Sequence, residues 1–292
     1  MMVSEIDMIS PETMEECLQI LNEYEQEVRL LAGGTDAVVR MKEGHWRPKL
    51  WLNIKGLRDL RFICEEKDGI HIGPLTTHTD MVQSSLLQEK ADVLVHAAKE
   101  VGATQIRNMG TIGGNLGTAS PAGDTIPALF VLDAVIELSS VNGIRRIPIE
   151  EFFVGPGKTV QHKSEMITNI IIRPQEENEI GIFEKLGPRK AQAISIVNVA
   201  ISLKMSGDGW QCAGGKIAFG SVAPTVIRAR KCEVLLTLQE LNEEGISNIA
   251  SLAWKEVAPI SDVRASAAYR RDMSTALLER GLLRLMKRWE DR

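Results

Sequence analysis

The chain lacks any surplus of positive charge: 34 Lys and Arg stand against 39 Asp and Glu in 292 residues, a formal net charge of −5. Broad nucleic-acid binding depends on such a surplus and is excluded as the main role. Aromatics are scarce, at 4% of residues, and the four cysteines (Cys17, Cys64, Cys212 and Cys232) form no Cys-x-x-Cys pair. No histidine pair stands at finger spacing either, which argues against a disulfide framework and a structural zinc site and makes the cytoplasm the expected compartment. No apolar run nears the roughly eighteen residues of a membrane span. The acidic start, Met1 to Asp7, has neither the basic region nor the apolar stretch of a signal peptide.

Several catalytic fingerprints are missing as well. The nucleotide pattern G-x-G-x-x-G does not occur, and Gly157-Lys158-Thr159 fails as a P-loop because Phe152 stands where glycine is required. There is no G-x-S-x-G elbow, so an α/β-hydrolase has no support. His45, His71, His78, His96 and His162 are scattered without an i, i+4 pair, the pattern of surface or packing histidines.

What is present is the mixture of a globular chain, 44% hydrophobic and 25% charged, long enough for one large domain or two to three modest ones. Ser10-Pro11-Glu12 reads as a helix start, followed by Met14, Cys17, Leu18 and Leu21 at helical spacing. Val28 to Leu31 reads as a strand, Ala37 to Lys42 as a helix and Leu50 to Ile54 as a returning strand, a small βαβ-like unit in residues 1–55. Residues 56–174 combine a strand at 70–73, helices over 78–102 and a hairpin turning at Asn142-Gly143. A further β-rich run spans Met166 to Ile172. Residues 175–179 are polar and mark a boundary, so residues 175–292 form a third piece. There, Ser195 to Met205 and Lys216 to Val222 pair around a glycine turn, and helices follow. In the last helix Leu278, Leu282, Leu285 and Trp289 form one stripe, whereas Tyr269, Met273 and Ala276 lie on another side, which predicts a break or a change of neighbour near Gly281. The fold class expected is α+β.

Two glycine segments carry the chemistry. One is Leu30-Leu31-Ala32-Gly33-Gly34-Thr35-Asp36-Ala37, and the other runs from Thr111-Ile112-Gly113-Gly114-Asn115 through Thr118 to Asp124. Consecutive glycines allow positive φ and close approach of a ligand to the main chain. Their N–H groups can converge on an anion ahead of a helix N-terminus. Neither segment holds Lys or Arg, so binding would rest on N–H groups and dipoles, and two such turns suit a pyrophosphate. The plainer alternative is a pair of connecting turns. Asp124 likewise reads either as a helix N-cap or as an acceptor for a ribose or ribityl hydroxyl.

Leu-Ala-Gly-Gly-Thr-Asp at 31–36, Thr-Ile-Gly-Gly-Asn at 111–115 and Ala-Ser-Pro-Ala-Gly-Asp at 119–124 resemble the FAD-binding subunit of molybdenum hydroxylases. Gly220-Ser221-Val222-Ala223-Pro224-Thr225 and Arg264-Ala265-Ser266-Ala267-Ala268-Tyr269-Arg270 resemble that family's C-terminal signatures. The likeness covers nearly the whole chain in order, and the bacterial xanthine dehydrogenase flavin subunits are its nearest form. It implies a vanillyl-alcohol-oxidase-type FAD fold of two subdomains, with a C-terminal domain of small antiparallel sheet and helices. It implies non-covalent FAD that takes electrons from [2Fe–2S] clusters on a partner subunit and passes them to NAD⁺. The molybdopterin site, acting on a purine, would lie on a third subunit.

By the same resemblance, residues 30–37 would wrap the ADP part and Thr111 to Asn115 the opposing wall. Asp124 would meet the cofactor's polar chain and Thr118 its flavin. Val101 falls at an apolar contact, Ile167 at a backbone contact, and Lys185 where a lysine faces the flavin; composition alone reads Lys185 as a solvated surface lysine. Pro188 stands where the family has arginine or serine. Four scattered cysteines cannot supply an iron–sulfur site, so electrons would have to arrive from a partner. The rival readings are the flavin subunit of a carbon monoxide or N-heterocycle dehydrogenase, a free-standing FAD reductase, and a non-catalytic assembly subunit.

Overall fold

The computed structural model describes residues 7–207 and 210–291. Near the N-terminus β1 (Asp7–Ile9), α1 (Met14–Tyr24), β2 (Val28–Leu31), α2 (Ala37–Lys42) and β3 (Leu50–Asn53) form a three-stranded sheet with its helices. β3 lies in the middle, parallel to both neighbours, with Leu30 opposite Leu52. The apolar spacing of α1 buries Cys17, Leu18 and Leu21 against Val28, Leu50 and Leu52. The helix starts later than Ser10-Pro11 predicts. Thr13 is the cap, its hydroxyl accepting from the Glu16 N–H at 3.1 Å, while Ser10 Oγ accepts from Asn53 Nδ2. Ser10 is engaged by the neighbouring strand, so the next hydroxyl takes the capping role.

The middle of the chain contributes β4 (Ile63–Glu66), β5 (Gly69–Ile72), α3 (His78–Gln83), α4 (Ser85–Lys90), α5 (Asp92–Lys99) and α6 (Thr104–Met109). Next come α7 (Ile112–Thr118), α8 (Thr125–Val131), β6 (Val135–Ser140), β7 (Gly143–Pro148), α9 (Ile149–Phe152), β8 (Phe153–Gly155), β9 (Lys158–Thr159) and β10 (Met166–Ile172). The antiparallel order is β4-β5-β10-β6-β7, and the hairpin turns at Gly143, whose φ of +126° suits glycine. The second glycine segment is not a turn throughout. Its Ile112–Thr118 stretch winds into α7, because the Thr111 hydroxyl caps it and Ile112 and Leu116, four apart, are both fully buried.

The last part holds β11 (Glu179–Leu186), β12 (Val197–Met205), β13 (Cys212–Gly220) and β14 (Ile227–Arg228), paired antiparallel in that order. Then follow α10 (Arg230–Leu236), α11 (Glu243–Ala250) and α12 (Ala267–Glu290). One face of this sheet gives Phe183, Ala200 and Ala218 to the core around α5 and α8, and the other packs Ile182 and Ile201 beneath α12 and Ile217 into the same core on the α10 side. Alternation along each strand serves both layers. Of the break or change of neighbour expected near Gly281, the break is absent from α12. Its buried line runs Arg270, Ser274, Leu277, Leu278, Gly281, Leu282, Leu285 and Met286 in one unbroken helix. Two polar residues sit at its start, so counting apolar residues alone misplaced the stripe. The buried Arg270 donates to Ile196 O, Ser221 O and Asp262 Oδ1. Of the polar boundary at 175–179, Glu179 is buried and paired with Arg173 at 2.8 Å.

Candidate functional site: a cleft between two glycine segments

A cavity of about 970 Å³ has both glycine segments in its walls. The first leaves β2 and turns sharply at Gly33-Gly34. A Cβ on Gly33 would stand 1.8 Å from the Met109 carbonyl oxygen, and Gly34 has φ +75°. Glycine is therefore required at 33 for close approach and favoured at 34 by backbone conformation. The N–H groups of Gly33, Gly34, Thr35 and Asp36 find no acceptor among the described residues. Four adjacent free donors facing a cavity form an anion cradle. Across it, Thr118 Oγ1 donates to Asp36 Oδ2 at 3.1 Å and ties the two segments together.

The second segment does not supply the converging N–H groups expected of it. Ile112 N–H donates to Thr76 O, Gly113 N–H to Pro74 O and Gly114 N–H to Thr111 Oγ1. Its glycines serve packing instead, since a Cβ on Gly113 would come within 2.6 Å of Pro74 Cβ. What this wall offers the cavity is the edge of α7, including Thr111, Asn115 and Thr118.

Asp124 stands at the N-cap position of α8, but its side chain makes no capping bond to the helix. Its carboxylate accepts instead from Lys185 Nζ at 2.6 Å, Ser195 Oγ at 2.6 Å and Asn198 Nδ2 at 3.1 Å. Burial pushes this carboxyl above its ordinary value, against the pull of Lys185, Ser195 and Asn198. Lys185 is no surface lysine. Only 6% of its side chain is exposed, and its ammonium also donates to Glu100 O at 2.9 Å.

Of the residues singled out by sequence, Leu30, Ala32 to Ala37, Val101, Thr111, Gly113, Gly114, Asn115, Thr118, Asp124 and Ile167 line the cavity. Leu31, Ile112 and Lys185 are not among the lining residues; Ile112 is fully buried in the core and Lys185 stands behind Asp124. The sequence reading missed Arg29, Trp46, His78 and Lys163, which also line it. His78 is 3% exposed with an unpartnered Nδ1, and burial plus the nearby Arg107 lower its pKa to about 4, so the ring is neutral at pH 7. All four lie outside both glycine segments: Arg29 directly precedes the first, and the fold brings the other three there.

Residues 4–175 match the family model described as the FAD binding domain in molybdopterin dehydrogenase, and residues 183–285 match the CO dehydrogenase flavoprotein C-terminal domain. The chain belongs to the FAD-binding subunits of the molybdenum hydroxylases. It is 31% identical to the nicotinate dehydrogenase FAD-subunit of Eubacterium barkeri, over 92% of each chain. It is also 31% identical to the xanthine dehydrogenase FAD-binding subunit of Escherichia coli O157:H7, over 88% of each. Carbon monoxide dehydrogenase from Hydrogenophaga pseudoflava superposes with a TM-score of 0.93 at 27% identity, covering 99% of both chains. The family member described here is thus an oxidoreductase flavoprotein subunit with an α+β fold. No helix among the described residues is long and apolar enough to cross a membrane.

Proposed function

We propose that the chain binds FAD non-covalently in this cleft and relays electrons from a [2Fe–2S] subunit of a xanthine dehydrogenase-type complex to NAD⁺, in the cytoplasm. On this reading a molybdopterin subunit of the same complex oxidises the purine. The observation that carries the cofactor part is the cradle of four free N–H groups at Gly33 to Asp36, in a turn where Gly33 has no room for a side chain and Gly34 takes a positive φ. Asp124, held by Lys185, Ser195 and Asn198, keeps a fixed acceptor at the cleft wall for a hydroxyl of the cofactor's polar chain. Bound there, FAD would supply the exchange between one-electron and hydride transfer.

The chain's own residues position and tune the cofactor. Lys185 places a buried positive charge one carboxylate away from the cavity. Val101 and Ile194 give that wall aliphatic cover, and Trp46 is the only Phe, Tyr or Trp among the described lining residues. The NAD⁺ acceptor rests on the resemblance to xanthine dehydrogenase-type flavin subunits. The xanthine-type substrate rests on relatedness alone, and nicotinate dehydrogenase is an equally similar relative.

Absorbance of the purified chain from about 300 to 600 nm, before and after FAD, tests the cofactor assignment. Flavin bands that survive desalting support it. Gly34→Val strains a positive-φ position and Asp124→Ala removes the fixed acceptor, so both are expected to lose flavin; full occupancy in both variants would refute the site. Purifying the chain with its neighbours and assaying purines, nicotinate and carbon monoxide separates the substrate classes.

A further inference from the structure

One end of the cavity holds cations that neither glycine segment supplies. Arg29, Trp46 and Lys163 all line it. The Arg29 guanidinium carbon sits 4.1 Å from the Trp46 ring centre, and Arg40 approaches the same ring at 5.2 Å. A guanidinium laid over an indole is held in place and keeps its charge. Among the described residues no ion pair includes Arg29, Arg40 or Lys163.

Nearby cations are treated differently. Arg145 is paired with Glu165 at 2.7 Å, and Lys185 with Asp124 at 2.6 Å. Arg29 loses basicity through burial and then through Arg40, and Lys163 through burial and then through Arg29. Like charges crowded without a counter-ion raise the energy of the empty cleft, and an anion relieves it.

Position says which part of a ligand they meet. Arg29 lies on β2, which ends at Leu31 before the turn at Gly33, so its backbone is at most about 13 Å from the free N–H cradle. A diphosphate on that cradle would send one nucleoside arm toward Arg29 and Trp46. Its other arm would run toward Thr118 and Asp124.

Resting on the reading of the cleft as an FAD site, we propose that Arg29, Trp46 and Lys163 clamp the adenosine diphosphate half and make the site select a dinucleotide over flavin mononucleotide. Arg29 stacks on the adenine ring, and the unneutralised charge of Arg29 and Lys163 draws the phosphates. The discriminating charge thus comes from β2 and an exposed turn at 163, outside the glycine motifs.

The test uses the full chain stripped of flavin, titrated with FAD, flavin mononucleotide and ADP and followed by flavin fluorescence and by ADP competition. Arg29→Gln with Lys163→Gln is expected to weaken FAD and ADP about tenfold or more and to flatten the salt dependence of FAD binding. Flavin mononucleotide should stay within about twofold. Lys163→Gln alone, in an exposed turn, is expected to move FAD in the same direction and keeps the test valid if the Arg29 variant misfolds. An unchanged ratio of FAD to mononucleotide affinity in the variants overturns the clamp while leaving the FAD site intact. Wild-type chain that takes up neither flavin overturns the underlying reading instead.

Discussion

Lys185 Nζ lies 2.6 Å from Asp124 Oδ2, and the two side chains are only 6% and 9% exposed. The residue before it on β11, Glu184, points to the opposite face, where Arg280 and Arg284 of α12 hold it at 2.7 and 2.5 Å. Consecutive residues of one strand thus deliver opposite charges to opposite layers, as a period of two requires. The positive one backs the cleft, and the negative one fastens the last helix.

Breaking the Lys185–Asp124 pair from one side strands a buried charge. Lys185→Met is expected to cost about 3–5 kcal/mol of stability, and the double variant with Asp124→Asn to recover part of it. Urea denaturation of both variants reads the coupling; an additive double variant would show that the two groups act independently.

Thr118→Val removes the hydroxyl that bridges to Asp36 and keeps the side chain's shape. The expected stability loss is about 1 kcal/mol, with roughly fivefold weaker FAD retention. Equilibrium dialysis against FAD measures the second effect, and wild-type retention would mean the bridge does not set the cleft's width.

Gly33→Ala forces a methyl into the Met109 carbonyl, whereas a Cβ on Gly56 meets nothing within 4 Å. The first substitution should lower stability by at least about 2 kcal/mol and the second by less than about 1 kcal/mol. Thermal melts of the pair decide it, and similar melting points would contradict the close approach.

His78 gives the cleft wall a pH response. Its pKa is about 4 when folded, against an ordinary value of 6.5. Between those values the unfolded chain binds a proton that the folded chain refuses, so stability is fully present above pH 6.5 and falls as pH drops toward 4. The total is about 3 kcal/mol. Urea denaturation at pH 7 and pH 4.5 should show the loss in wild type and a smaller one in His78→Asn; equal losses would remove His78 as the cause.

Much of the fold was legible because its signals are local. Val28–Leu31, Ala37–Lys42 and the Asn142-Gly143 hairpin lie where periodicity and turn chemistry put them. Misreadings arose where a residue's partner is distant in sequence. Ser10 is taken by Asn53, so Thr13 caps α1, and Arg270 is buried because carbonyls of residues 196 and 221 surround it. The glycine segments were visible as motifs, but their division of labour was not: free N–H groups at 33–36 and bonded ones at 112–114 differ only through Pro74, Thr76 and the Thr111 cap. Arg29, Trp46 and Lys163 carry no local signature at all.

The final turn of α12 has a bearing on biogenesis. Arg288 reaches back to Asp92 at 2.8 Å, across 196 residues, and to the Gly181 carbonyl. A chain emerging from the ribosome N-terminus first exposes both glycine segments long before Arg288 exists. The tie that Arg288 makes between α5 and β11 can form only once residue 288 has been made. A chain truncated before residue 288 would lack that tie.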